Sequence, residues 1–368
     1  MKEEMNEALL RVMDSSFYIM GDSVAELEAR LADYVGVRHC VSCASGTDAL
    51  YLALRTLQVG QGDAVFVPDF TFFATAEAVA LVGATPVFVD VDEFTYNISV
   101  ADLKAKYDSV RQAAQFTPKA VIAVDLFGRT ADYTMLEPWC HSEGLLLIED
   151  GAQGFGAMLG GRHACSFGDI ATTSFFPAKP LGCYGDGGAL FTDNDDWASM
   201  LRSLRVHGKG ADKYDNVRIG LNSRLDTLQA AALLVKLRHL SSEQQVVQQV
   251  ASRYQEHLSS ESVGLPVIPN DMVSAWAQYT VRVSQRDRVR EALQEAGVPS
   301  AVYYPRTLSQ QPAFAALRQQ PCATAVRLTS EVLSLPIHPY LTDEEVDTVV
   351  RALQVAGDSN TDKKTIGS

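Results

Sequence analysis

Apolar residues recur along this chain in two alternating rhythms. Val24, Leu27, Leu31 and Tyr34 fall at helical spacing behind Ser23-Val24-Ala25-Glu26, in which a serine hydroxyl and a glutamate carboxylate can cap a first turn reciprocally. The spacing predicts a helix reaching about Val35, and a strand from His39. Short apolar runs follow at 64–68, 86–89, 120–124, 145–148 and 170–175, separated by helical stretches. Runs that are apolar without alternation suit strands buried on both faces. The chain therefore reads as α/β, with a mostly parallel central sheet and helices on both faces.

From Trp197 the pattern turns helical. Residues 225–240 have the composition of a long buried or interfacial helix, and a large domain is expected to close there, over 1–240. A Gln- and Val-rich helix over 241–258 leads into an alternating strand, Trp276-Ala277-Gln278-Tyr279-Thr280-Val281-Arg282-Val283, and a charged helix over 287–296. This predicts a smaller α+β C-terminal domain over 241–356. Residues 357–368 are polar and aperiodic, the composition of a disordered tail.

The charge balance narrows the function. Across 368 residues, Lys plus Arg total 31 against 45 Asp plus Glu, a net charge of −14, so a nucleic-acid-binding surface is not expected. Residues 1–10 are charged throughout and lack the apolar centre of an export signal, and no apolar run is long enough for a membrane span. The six cysteines then read as reduced thiols of a cytoplasmic protein. Cys40 and Cys43 form a CxxC, but no second pair follows at zinc-like spacing, so a buried strand is expected there and no metal.

Chemistry concentrates at four places. In Ser174-Phe175-Phe176-Pro177-Ala178-Lys179, a lysine stands between a buried strand and the glycine-rich stretch 182–188, where partial desolvation lowers its pKa and frees a nucleophilic amine. Taken alone, the same lysine also suits a surface position beside a hairpin. In Leu147-Ile148-Glu149-Asp150-Gly151-Ala152-Gln153, an acid is expected just past a strand's C-terminal end, where α/β sheets place ligands. There Asp150 can meet the ring nitrogen of a cofactor or simply cap the next helix. Ser45-Gly46-Thr47-Asp48 between a strand and a helix offers free N–H groups for a phosphate, to which Ser174 can add a hydroxyl. Phe72 can stack on a planar ring or join the core.

In this order, and with the motifs SGTDAL, EDxAQ, SFFPxKPLGCYGDGGA and GLNSRLDTLQAA, the chain resembles the DegT/DnrJ/EryC1/StrS sugar aminotransferases, which are fold-type-I enzymes dependent on pyridoxal 5'-phosphate (PLP). The resemblance covers about residues 16–353. It implies the aspartate-aminotransferase-like fold, with Lys179 as Schiff-base lysine and proton shuttle and Asp150 at the pyridine nitrogen. By the same resemblance Gln153 approaches the ring oxygen and Phe72 stacks on the ring, while Gly46, Thr47 and Ser174 hold the phosphate. Asn222 would reach the phosphate of a neighbouring subunit, which implies a homodimer with shared sites. Arg224, Tyr303 and Tyr304 would bind substrate.

Within the family, LNSRLDTLQAA and LPIHPYL are most similar to the branch that aminates C3 of UDP-2-acetamido-3-keto sugars for surface polysaccharides such as lipopolysaccharide O-antigen. The partners so implied are L-glutamate and a keto-sugar nucleotide, UDP-linked or, alternatively, a dTDP-linked 3-keto or 4-keto deoxyhexose. Two departures stand out. The usual short apolar strand before the first helix is missing, and Tyr303 occupies a position where that branch carries histidine. Sugar dehydratases of the same fold carry histidine in place of the lysine, so Lys179 disfavours them. A catalytically silent dimeric scaffold or regulator of this fold is the alternative of another class, disfavoured by Lys179 and Asp150. A nicotinamide-dependent dehydrogenase lacks its G-x-G-x-x-G here.

Overall fold

The computed structural model describes residues 1–212, 214–258 and 263–358. Two helices, α1 (Lys2–Ser15) and α2 (Asp22–Val35), precede β1 (His39–Cys43) and α3 (Gly46–Thr56). Helix and strand then alternate through β2 (Asp63–Pro68), α4 (Ala74–Leu81), β3 (Thr85–Val89), α5 (Val100–Ala113), β4 (Thr117–Val124), α6 (Tyr133–Glu143) and β5 (Leu146–Asp150). After the two-residue strands β6 (Met158–Leu159) and β7 (Arg162–His163) come β8 (Ile170–Ser174), β9 (Gly188–Thr192) and α7 (Asp195–Leu204).

Seven of these strands form one sheet in the order β1-β9-β8-β5-β4-β2-β3. From β8 to β3 every pairing is parallel, and β9 runs against both of its neighbours. The alternating sides of β4 explain the helical layers. Ala120, Ile122 and Val124 pack with Leu52, Ala53 and Val79 of α3 and α4, while Val121 and Ala123 pack with Leu103, Leu136 and Cys140 of α5 and α6. A fully buried leucine such as Leu52 contributes about 1.5–3 kcal/mol by leaving water, so a strand apolar on both faces is pinned from both sides.

Sequence and structure differ at several boundaries. Helix α2 begins at Asp22 with Gly21 as its N-cap and no side-chain cap, so Ser23 and Glu26 do not form the expected capping box. The helices expected over 225–240 and 241–258 are one 31-residue helix, α8 (Thr227–His257). Ser242 donates its hydroxyl to His239 O at 2.8 Å and is absorbed without a break.

Beyond α8 lie β10 (Val263–Gly264), β11 (Met272–Val273), β12 (Tyr279–Val283), α9 (Arg286–Glu295), α10 (Ala323–Glu331), β13 (Val332–Leu335) and α11 (Asp343–Asp358). The strand expected from Trp276 starts only at Tyr279, because Trp276 has a φ of 49° and breaks the extended run. Strands β10, β12 and β13 form an antiparallel sheet, packed on α8, α9 and α11 through Tyr254, Val281, Leu293 and Val350. The last helix runs two residues into the expected tail, whose remainder, 359–368, lies outside the described residues. Between α9 and α11 the chain returns to the larger sheet: Leu308, Phe314, Cys322 and Leu328 pack into the α3/α4 layer.

Candidate active site

A cavity of about 450 Å³ opens where the parallel strands end. Asp150 lies at the floor. It is the last residue of β5, paired between Val124 and Thr172, and not past the strand end as expected, because the ladder extends two residues further than the apolar run. Its carboxylate accepts from Thr75 Oγ1 at 2.9 Å and from Ala152 N at 3.3 Å. Burial pushes its pKa up, while these donors and the nearby Lys179 ammonium pull it back.

Lys179 faces the same cavity. Its loop is pinched shut by Phe175 N to Gly187 O, Cys183 N to Phe175 O and Lys179 N to Phe176 O, each 2.8 Å. Desolvation holds its ammonium below the ordinary lysine range, and the Asp150 carboxylate opposes that shift. An amine so placed spends more time neutral and nucleophilic.

Opposite stands an anion cup. Ser45 caps α3 by accepting from Asp48 N at 3.1 Å, and the first N–H groups of that helix, at Gly46 and Thr47, have no intrahelical partner. Gly46 packs so tightly on Ser174 that a Cβ there would lie 2.7 Å from the serine's Cβ. Gly46, Thr47 and Ser174 thus line one end of the cavity together.

The remaining wall is aromatic and amide. Phe127 N donates to Gln153 Oε1 at 2.7 Å, which turns Gln153 Nε2 toward Tyr304 Oη at 3.1 Å. Phe72, 54% exposed, tilts toward Tyr304 with ring centroids 6.2 Å apart. Tyr303 and Tyr304 belong to a segment hung from Asp69. That buried carboxylate accepts from Ser309 N at 2.7 Å, Ser309 Oγ at 2.7 Å and Cys322 N at 3.1 Å, and Leu308 N donates to Asp69 O at 2.8 Å.

Nine of the residues singled out from the sequence therefore share one cavity: Gly46, Thr47, Phe72, Asp150, Gln153, Ser174, Lys179, Tyr303 and Tyr304. Asn222 and Arg224 do not line it. Their segment is anchored between them at buried Ser223, which donates to Asp48 Oδ2 at 2.6 Å and accepts from Ala44 N at 3.2 Å. The sequence analysis gives no role to three polar lining residues, Thr71, Asp186 and Gln278, or to Thr75, which donates to Asp150 without lining the cavity itself. Asp186 stands within the quoted glycine-rich stretch. Thr75 carries no local signal, since its role depends on a carboxylate 75 positions away.

Residues 1–354 match the model of the DegT/DnrJ/EryC1/StrS aminotransferase family. The chain belongs to that family. This aminotransferase is 44% identical over 354 residues to the UDP-2-acetamido-2-deoxy-3-oxo-D-glucuronate aminotransferase of Pseudomonas aeruginosa, with 96% of each chain covered. It is 41% identical to the UDP-N-acetyl-3-dehydro-alpha-D-glucosamine 3-aminotransferase of Acidithiobacillus ferrooxidans, covering 96% of this chain and 94% of that one. Among solved structures, a DegT/DnrJ/EryC1/StrS aminotransferase from Brucella abortus superposes with a TM-score of 0.94 at 45% identity, covering 97% of this chain and 96% of that one. The fold thus sits within an aminotransferase family, as the sequence resemblance implied.

Proposed function

We propose that this aminotransferase uses PLP to move an amino group from L-glutamate to the C3 keto carbon of a UDP-2-acetamido-3-keto sugar. The observation that carries the reading is the convergence in one cavity of Lys179, a strand-end carboxylate and a helix-start anion cup. These residues fit the cofactor: the cup suits its phosphate, Asp150 its ring nitrogen and Phe72 its ring face. Aminotransferases of this family are PLP-dependent. When bound, PLP stabilises a carbanion beside nitrogen and stores an amino group between two substrates.

The chain's own residues do the rest. Lys179 would supply the amine that anchors the cofactor, and the same amine is placed to carry a proton at the amino-bearing carbon of the donor and at the sugar carbon. Asp150, fixed by Thr75 and Ala152, holds a proton at the ring nitrogen, worth roughly 1.4 kcal/mol for each pKa unit of coupling. Gly46, Thr47 and Ser174 hold the phosphate, and Gln153 orients at the ring oxygen. Tyr303 and Tyr304 face the sugar. Arg224, which like Asn222 lies outside this chain's own cavity, would clamp an anionic group of a substrate bound in the partner's site.

The UDP-linked 3-keto sugar is supported by the names of both relatives, one acting on a glucuronate and one on a glucosamine. That pair leaves both a carboxylate and an alcohol at C6 as candidates, and amino-sugar supply for surface polysaccharide is the setting we propose. A homodimer, with Asn222 acting in the partner's site, is supported by Phe17, Tyr214 and Ile219, which are 71%, 87% and 81% exposed. No helix among the described residues is long and apolar enough to cross a membrane; the cytoplasm, where a nucleotide-sugar substrate would be met, is the compartment we propose.

The absorption spectrum tests the reading. Protein loaded with PLP should show a visible band that bleaches with L-glutamate, and Lys179→Ala should not bleach at a comparable rate. A protein that PLP cannot colour sinks the enzyme reading and leaves a scaffold of this fold.

A further inference from the structure

Behind Asp150 lies a second pair of carboxyl groups that the reaction does not use. Asp125 follows β4 and Glu149 is the penultimate residue of β5, and both are 0% exposed. Ala123 pairs with Glu149 across β4 and β5, and Asp125 follows two residues later, which brings both carboxyls to the same side of adjacent strand ends. Glu149 accepts from Cys165 N at 2.5 Å through Oε1 and from Phe167 N at 2.7 Å through Oε2. Asp125 Oδ1 accepts from Ala131 N at 3.0 Å and Tyr133 Oη at 2.9 Å. Oδ2 alone has no donor.

Two facing carboxylates with no cation between them would repel in a medium of low dielectric, and one orphaned oxygen would remain. A single proton between Oδ2 and Glu149 removes both defects. We propose that Asp125 and Glu149 share one proton in the folded protein, and that the pair is a positioning unit locking the strand ends beneath Asp150. Asp125 N donates to Asp150 O at 3.0 Å, so the lock and the cofactor-facing carboxylate share a backbone. Gly154 marks how closely the loop after Asp150 packs on it: a Cβ there would lie 2.4 Å from Asp125 Oδ2. The groups facing the pair are Tyr133, Asp150 and the Cys165 thiol, none of them a cation. Burial pushes Asp125 well above the usual carboxylate range although its interaction with Glu149 pulls it back, and burial together with the Asp125 carboxyl pushes Glu149 up.

The shared proton stands independently of the aminotransferase reading; its consequence for Asp150 rests on it. Folding near neutral pH takes up this proton, since both carboxyls are ionised in the unfolded chain. The pair's contribution to stability is thus full below the ordinary carboxylate range and is lost as pH rises through its upper titration. The first test uses infrared spectra of the cofactor-free native protein, with Asp and Glu carbon-13 labelled in turn. A protonated-carboxyl band at pH 7 that shifts with the label and vanishes in Asp125→Asn is the expected result. The Asn amide can donate to Glu149 while its oxygen keeps Ala131 and Tyr133, so the variant should fold while taking up one proton fewer. No such band in the native protein, or a band that survives in a folded Asp125→Asn, overturns the proposal. If that variant fails to fold, a carbon-13 NMR titration of native protein decides: all Asp and Glu carboxyls ionised at pH 7 would refute it. For the positioning role, Asp125→Ala should weaken PLP retention at least tenfold while Asp125→Asn stays within about threefold of native; equal retention by both overturns that part.

Discussion

The cavity has two walls built in different ways. One is the floor of the central sheet, where Asp150, Ser174 and the start of α3 sit at strand ends held on both sides by buried apolar side chains. The other is the Tyr303–Tyr304 segment, which enters no strand of that sheet and hangs from Asp69 by its hydrogen bonds. On the proposed function, the sheet wall would carry the groups suited to any amino transfer and the suspended wall those that meet the sugar. Substrate choice could then change on one wall without disturbing chemistry on the other.

Substitutions separate the walls. Lys179→Ala should lower kcat on the order of 10³-fold with little change in thermal stability, measured by single turnover with glutamate. Asp150→Asn should cost on the order of 10²-fold in both half-reactions, because a carboxamide cannot hold the ring-nitrogen proton. On the suspended wall, Asp69→Ala leaves buried donors at Ser309 and Cys322 unmet. It should cost roughly 1–3 kcal/mol of stability and raise KM for the sugar more than it lowers kcat. Tyr304→Phe removes the acceptor of Gln153 Nε2, an effect of about 1 kcal/mol, seen as a few-fold weaker PLP retention. Smallest in the donor half should be Tyr303→His: glutamate kinetics within about twofold of native, and KM for keto sugars altered by up to roughly tenfold. Glutamate kinetics that shift as much as sugar kinetics in this variant would break the division.

The same contrast governs what could be read from the sequence. Strands apolar on both faces announce themselves, and so do motifs whose roles are local, such as a lysine before a glycine-rich turn. Strand β9 was missed although all five of its residues are buried, because Gly187 and Gly188 hide its start and it runs against the parallel rhythm. Thr75, Asp69 and the Asp125–Glu149 pair were equally silent. Each acts through a partner brought near only by strand register or by the chain's return from the smaller sheet. The change from a buried composition over 225–240 to a Gln- and Val-rich one over 241–258 reads as two helices, yet packing against both cores carries one helix through.

That unbroken helix has a mechanical consequence. At about 1.5 Å per residue, the 31 residues of α8 form a rod of roughly 46 Å, with Leu233 in the core beside the central sheet and Tyr254 in the core of the smaller one. Melting either end frays the other, so heat should remove both lobes in one calorimetric transition, and whatever cements the cavity should raise the melting temperature of the whole chain.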